Sequence, residues 1–141
     1  MKLCEVALYP NAVNILWRLL EERPPEANIS HRRMPTWEDH CRFVFSAPYK
    51  AWYIIEVGDW VGKCPAGATY LTDQNEIGIG IFRQHQSNGY ATAAIKMLMD
   101  MHKGEPRFLA NIAPGNTRSI GLFQNLGFGL IQQTYERRHA N

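Results

Sequence analysis

Seven consecutive residues, Gln86, Ser87, Asn88, Gly89, Tyr90, Ala91 and Thr92, have the types and order of a loop that holds phosphates. A glycine among small residues lets the backbone approach a ligand closely, and the amides of a first helical turn favour an anion. The chemistry this suits is the binding of a pyrophosphate. Upstream, Glu76 and Arg83 flank an apolar run; downstream, Arg118 adds a cation that could reach phosphates, and Arg83 is a second candidate. The loop carries neither GxxxxGK[ST] nor a GxGxxG at a strand-to-helix turn, because Gly78 and Gly80 fall inside the preceding run. Nucleoside triphosphate and dinucleotide sites are therefore disfavoured, and QxxGxA remains, as Gln86, Gly89 and Ala91.

The elements that position this loop are legible around it. Ile77, Ile79 and Ile81 alternate with Gly78, Gly80 and Phe82, which predicts a strand over 76–82. Ala91, Ala94, Ile95, Leu98 and Met99 then follow helical spacing with one apolar face. A further strand is expected over 107–112. Asn116, Ser119, Leu122, Phe123, Leu126, Gly127 and Phe128 make a compact unit in which Asn116 caps a helix and Gly127 ends it, with a last strand beyond.

Earlier in the chain, a first strand is expected over 3–9. Asn11 is expected to cap a helix with Val13, Leu16, Trp17 and Leu20 on its apolar face, stopped by Pro24 and Pro25. Thr36 with Asp39 predicts the start of a second helix whose face is Trp37, Cys41, Val44 and Phe45. Residues 51–57 read as a strand, Gly58 and Asp59 as a turn, and 60–71 as its hairpin partner. Pro65 predicts a bulge there, since proline cannot donate to a ladder.

In this order, strand, QxxGxA, helix, strand, NxxSxxLFxxLGF, strand, the chain resembles the acyl-CoA N-acyltransferase (GNAT) superfamily. Clear motifs run from Val61 to Tyr135. Ser119 brings it nearest to the subgroup of ribosomal-protein N-terminal and small-molecule or aminosugar acetyltransferases. The resemblance implies an α/β (α+β) fold, with a mixed, mostly antiparallel central sheet, helices on both faces and a splayed parallel strand pair. It implies acetyl-CoA as cofactor and direct transfer to a primary amine of a small molecule, an aminosugar nucleotide or a protein N-terminus. The main chain of Ile79 and Ile81 would hold the pantetheine arm, Gln86 to Thr92 and Arg118 the phosphates, and Asn116 would lie beside the pantetheine while also capping its helix. Glu76, ten residues before Gln86, stands where some members place a catalytic glutamate, with a water relay as the alternative base. Phe123 departs from the pattern. Many members have a tyrosine at that cofactor-binding position and use its hydroxyl to protonate the leaving thiolate, a part left here to Tyr90, Tyr70, a water or nothing. A non-catalytic acyl-CoA-binding or interaction module on the same fold is the alternative.

Length and composition agree with a single domain over residues 1–141: 45% of the residues are hydrophobic, enough for one core. A formal charge of +2 and scattered basic residues disfavour nucleic acid as a partner. His31, Arg32 and Arg33 would suit an acceptor carrying phosphate or carboxylate. Three cysteines without ligand spacing, and five histidines with no HExxH, argue for no metal and for a reducing compartment. Cys64 could carry an acyl group in principle, although nothing near it in sequence activates it. The four tryptophans are expected in the core or in pocket walls. No apolar run is long enough to span a membrane, so a cytoplasmic location is expected; a homodimer stays open.

Overall fold

The computed structural model describes residues 1–25 and 33–139. His31 and Arg32 lie outside the described residues; Arg33 is exposed on the approach to the second helix. Four strands, β1 (Lys2–Glu5), β2 (Ala51–Gly58), β3 (Lys63–Leu71) and β4 (Ile77–Ile81), pair antiparallel in the order β1-β2-β3-β4. Helices α1 (Ala12–Glu22) and α2 (Trp37–Phe45) cover one face, and α3 (Tyr90–Met101) and α4 (Thr117–Asn125) the other. The alternation of β2 divides the core between them. Ile54 packs with Ala12, Ile15, Leu16 and Val44, while Tyr53 packs with Ile95, Leu98 and Phe123. The α/β class and the helices on both faces are as the sequence led us to expect.

The first strand is shorter than expected, because Val6–Leu8 closes into a 3₁₀ turn. Asn11 precedes α1 but does not cap it: at φ 60 it sits in the left-handed region and its side chain makes no capping bond. The buried face of α1 is Ala12, Ile15 and Leu16, one step round from the expected stripe. Both stripes satisfy helical spacing, and contact with the sheet selects one. Trp17 instead meets the edge of Trp37, with ring centroids 5.3 Å apart. Thr36 does cap α2, its Oγ1 accepting from Asp39 N at 3.1 Å. The α2 face, however, is His40 and Val44, with Trp37 and Phe45 exposed. His40 is a core histidine whose Nε2 donates to Val13 O at 2.8 Å.

The irregularity expected near Pro65 is present. Ile55 faces Gly67 and Glu56 faces Pro65, so Ala66 is the extra residue of a bulge. The hairpin tip is longer than Gly58 and Asp59 alone: Asp59 Oδ1 accepts from Val61 N at 2.8 Å, and Trp60 at the tip is 93% exposed, outside any core or pocket wall.

The expected strand over 107–112 is reduced to one parallel bridge, Glu76 to Leu109. Residues 128–139 join no ladder, and Leu130, Ile131 and Tyr135 are exposed, so the expected last strand does not form. With the neighbouring segment bridged at one residue pair, no continuous edge is present for it to extend.

Tyr9 connects the first turn to the sheet by donating to Glu56 Oε2 at 2.7 Å. Burial, with the Glu56 carboxylate beside it, pushes its phenol from 10.0 up to about 12. The folded chain holds this proton more tightly than the unfolded chain, so the stabilisation is complete below pH 10 and lost as pH rises through about 12. Urea unfolding should therefore show the stability advantage of wild type over Tyr9→Phe shrinking between about pH 9 and about pH 12; an advantage independent of pH would refute the shift.

Candidate active site

The main chain of β4 is sorted by its hydrogen bonds. Thr72 N donates to Glu76 O at 2.9 Å and Phe82 N to Ala66 O at 2.8 Å, so the even-numbered residues bond back to β3. On the other side, Ile77 N donates to Leu109 O at 2.7 Å, and Leu109 N to Asn75 O at 2.9 Å. Strand alternation directs the N–H and C=O of Ile79 and Ile81 to that same side. Among the described residues no ladder continues there beyond the Glu76–Leu109 bridge. The ladder therefore has a gap next to Ile79 and Ile81, where the N–H and C=O of Ile79 and the N–H of Ile81 are left for an amide-bearing chain to pair with, Ile81 O being taken by Gln86 Nε2.

The structure gives a reason for the glycine at position 78. A Cβ on Gly78 would lie 1.9 Å from the Tyr70 ring, which is stacked on Tyr49 at 3.9 Å, and the nearest atom to a Cβ on Gly80 belongs to Leu19. Gly78 thus makes room for the Tyr70 ring, whereas the Leu19 atom, at 3.8 Å, is an ordinary contact and does not require glycine at position 80.

At the open end of the gap lies the loop. A 3₁₀ turn, Arg83–His85, leads into Gln86, whose Nε2 donates to Ile81 O at 3.3 Å. Ser87 at φ 66 and Gly89 at φ 78 take left-handed conformations that turn the chain sharply into α3. Glycine adopts this conformation without steric cost. Asn88 Nδ2 closes the turn on His85 O at 3.1 Å. The first intrahelical bond of α3 runs from Ala93 N to Gly89 O, and no side chain caps the helix. The amides of Tyr90, Ala91 and Thr92 thus have no partner within the helix. Arg118, from the first turn of α4, reaches across 32 residues of sequence to donate to Gln86 Oε1 at 2.6 Å and lies 3.5 Å from Ser87 Oγ. Arg83 is exposed, and its backbone N donates to Glu22 Oε1 at 2.8 Å.

At the closed end is Glu76, half-buried at the bridge. Thr72 Oγ1 donates to its Oε1 at 3.1 Å and accepts from its backbone N at 3.0 Å, and Asn111 Nδ2 donates to Oε2. Asn75, next in the chain, is held by Lys50 Nζ at 2.8 Å and by Glu105 Oε2 at 3.0 Å. The bond from Lys50 keeps the Glu105 carboxyl below its ordinary value, with Asn75 adding to the effect. Thr72 and Asn111 did not emerge from the sequence. Thr72 stands four residues before Glu76 in a turn and carried a local signal; Asn111 is 35 residues away and carried none.

Asn116 caps α4, its Oδ1 accepting from Ser119 N at 3.3 Å. Phe123 is 3% exposed and meets Phe128 edge-on at 5.0 Å, so its ring serves the core. Among the described residues no group of three or more His, Cys, Asp or Glu could hold a metal ion, and no helix is long and apolar enough to cross a membrane. A separate cleft of about 520 Å³, between the first turns of α1 and the β2–β3 edge, contains none of the loop or gap residues.

Three solved structures share this architecture. A domain from Methanocaldococcus jannaschii aligns with a TM-score of 0.81 at 20% identity, covering 96% of this chain and 92% of that one. An acetyltransferase from Thermus thermophilus gives 0.68 at 18%, covering 93% and 88%. YncA of Salmonella typhimurium, a proposed acetyltransferase solved with its cofactor acetyl-CoA, gives 0.62 at 16%, covering 90% and 77%. No curated protein matches the sequence. The family model described as "Acetyltransferase (GNAT) domain" matches residues 17–129, most of the chain, and the protein belongs to that family of acyltransferases.

Proposed function

We propose that this chain is an acetyl-CoA-dependent N-acetyltransferase that moves the acetyl group directly to a primary amine of a small molecule, an aminosugar nucleotide or a protein N-terminus. The observation that carries the reading is the continuity of one path. Uncapped amides and Arg118 lie at one end, the outward main chain of Ile79 and Ile81 along its length, and the Glu76 carboxylate at the other end.

The residues present fit this cofactor. Two anionic phosphates suit the first turn of α3 and the Arg118 guanidinium, whereas an amide-rich arm suits strand-like pairing with β4. When bound, acetyl-CoA supplies an acetyl group already activated as a thioester. The protein's part is orientation and proton management. An alkylammonium is protonated near neutrality and cannot attack, so Glu76, fixed by Thr72 and Asn111, takes its proton directly or through a water. Ile79 N–H and Ile81 N–H are the available donors to a developing oxyanion on that side of the strand. Phe123 has no hydroxyl and, buried, can protonate nothing. Solvent, or a tyrosine such as Tyr90, would then supply the proton that a departing thiolate needs. His31, Arg32 and Arg33 remain the proposed contacts for an acidic group on the acceptor.

A second reading, a module that binds acyl-CoA without turnover, is favoured by that same buried Phe123. Calorimetry with acetyl-CoA tests the part common to both. Wild type should bind, and Arg118→Ala should bind about tenfold more weakly through loss of a charged contact to phosphate. A well-folded wild type that binds no acetyl-CoA would sink both readings. Release of free thiol in the presence of an amine panel separates them.

A further inference from the structure

The structure brings together two residues that stand 21 positions apart. Cys64, the second residue of β3, is exposed, and its Sγ lies 3.7 Å from His85 Nε2 on the turn that enters the loop. Gln84 Nε2 lies 3.5 Å from the same ring nitrogen. With the ring proton on Nδ1, the tautomer in which Gln84 Nε2 can donate to the ring, Nε2 carries a lone pair and stands as a base beside the thiol. The backbone around the ring is held by Asn88 Nδ2 on His85 O at 3.1 Å.

The other two cysteines differ. Cys4 and Cys41 are both half-buried, and burial, with the Glu56 carboxylate nearby, pushes the Cys4 thiol up. Among the described residues neither is hydrogen-bonded to a base, whereas Cys64 combines access with a base, the two conditions for a reactive thiol.

We propose that Cys64 and His85 form a modification site that takes small-molecule disulfides. His85 Nε2 accepts the thiol proton, and Cys64 Sγ attacks one sulfur of the disulfide. A mixed disulfide forms as the original S–S bond breaks, and the departing thiolate takes the proton back from the imidazolium. Cys64 is oxidised while half of the incoming disulfide is reduced to a thiol. Disulfide exchange fits better than acylation here, since it needs only a thiolate and an open approach, and no described contact places an oxyanion donor beside Sγ. The inference does not depend on acetyl-CoA binding.

The test uses the full chain, reduced and folded, with glutathione disulfide as probe, and follows each cysteine by mass spectrometry over time. Cys64 should be modified first, and His85→Gln should slow it about tenfold while leaving Cys41 unchanged. Exposure alone could rank Cys64 first, so the effect of His85→Gln decides. A Cys64 rate within twofold of wild type in that variant overturns the proposal, as does a wild-type Cys64 no faster than Cys41. Should His85→Gln fail to fold, His85→Ala with added imidazole replaces it: restoration of the rate supports the base, and an unrestored slow rate in the folded variant overturns it.

Discussion

Glu76→Gln is expected to lower kcat by about 100- to 10,000-fold, the range over which a positioned general base contributes, with acetyl-CoA affinity nearly unchanged. Glutamine keeps the shape and can still accept from Thr72, whose bond to Oε1 measures 3.1 Å, so the turn should survive the substitution. What it removes is the ability to take a proton, together with the bond from Asn111 Nδ2, which would face the new amide nitrogen unless the Asn111 side chain turns its oxygen toward it. The measurement is steady-state turnover with a saturating amine, alongside calorimetry for the cofactor. Unchanged kcat would transfer the proton to a water relay and leave Glu76 as a structural brace between the turn and Asn111. A loss of kcat that shrinks as pH rises and more of the amine is already deprotonated would support the base assignment.

The largest effect on stability is expected from Gly67→Ala. A Cβ on Gly67 would lie 2.0 Å from Gly80 O and 2.9 Å from Ile81 Cα, both backbone atoms of the strand paired with it. No rotamer change can relieve that contact, so β3 and β4 must separate, at about 3 kcal/mol or more. For a domain of this size the corresponding fall in Tm is on the order of 10 °C. The displaced strand is the one that turns Ile79 and Ile81 toward the gap, so cofactor binding should weaken as well. Gly121→Ala is the control. It lies within α4, and a Cβ there meets nothing within 4 Å; the change should be neutral or stabilise by up to about 1 kcal/mol. A Tm for Gly67→Ala within about 2 °C of wild type would mean that the ladder yields more easily than a backbone-to-backbone contact permits.

The loop was readable because every signal in it is local. The change from a two-residue to a helical period at Gln86–Thr92, the left-handed Gly89 and the Asn116 cap each depend on residues a few positions apart. The buried faces of α1 and α2 were less readable. Their sequences offer two overlapping apolar stripes, and the choice belongs to the sheet beneath them. Trp60 shows the same limit from the other side, since a large aromatic residue is not by itself a buried one. The strand over 107–112 had adequate local composition, but a strand is realised by a partner, and here pairing stops after Glu76 and Leu109.

By itself, then, the sequence determined the order of the four helices and of the first four strands, the glycine turn into α3 and the family to which they belong. Tertiary structure alone decided which side of β4 carries its free amides, that Asn111 holds Glu76, that Arg118 reaches Gln86, and that His85 stands beside Cys64. The division has a physical basis. Periodicity, caps and left-handed turns are set by neighbours within one or two turns of chain, whereas these contacts join segments 21 to 35 residues apart, and such pairings form only when the packing of the whole core repays the entropy of closing the loops between them.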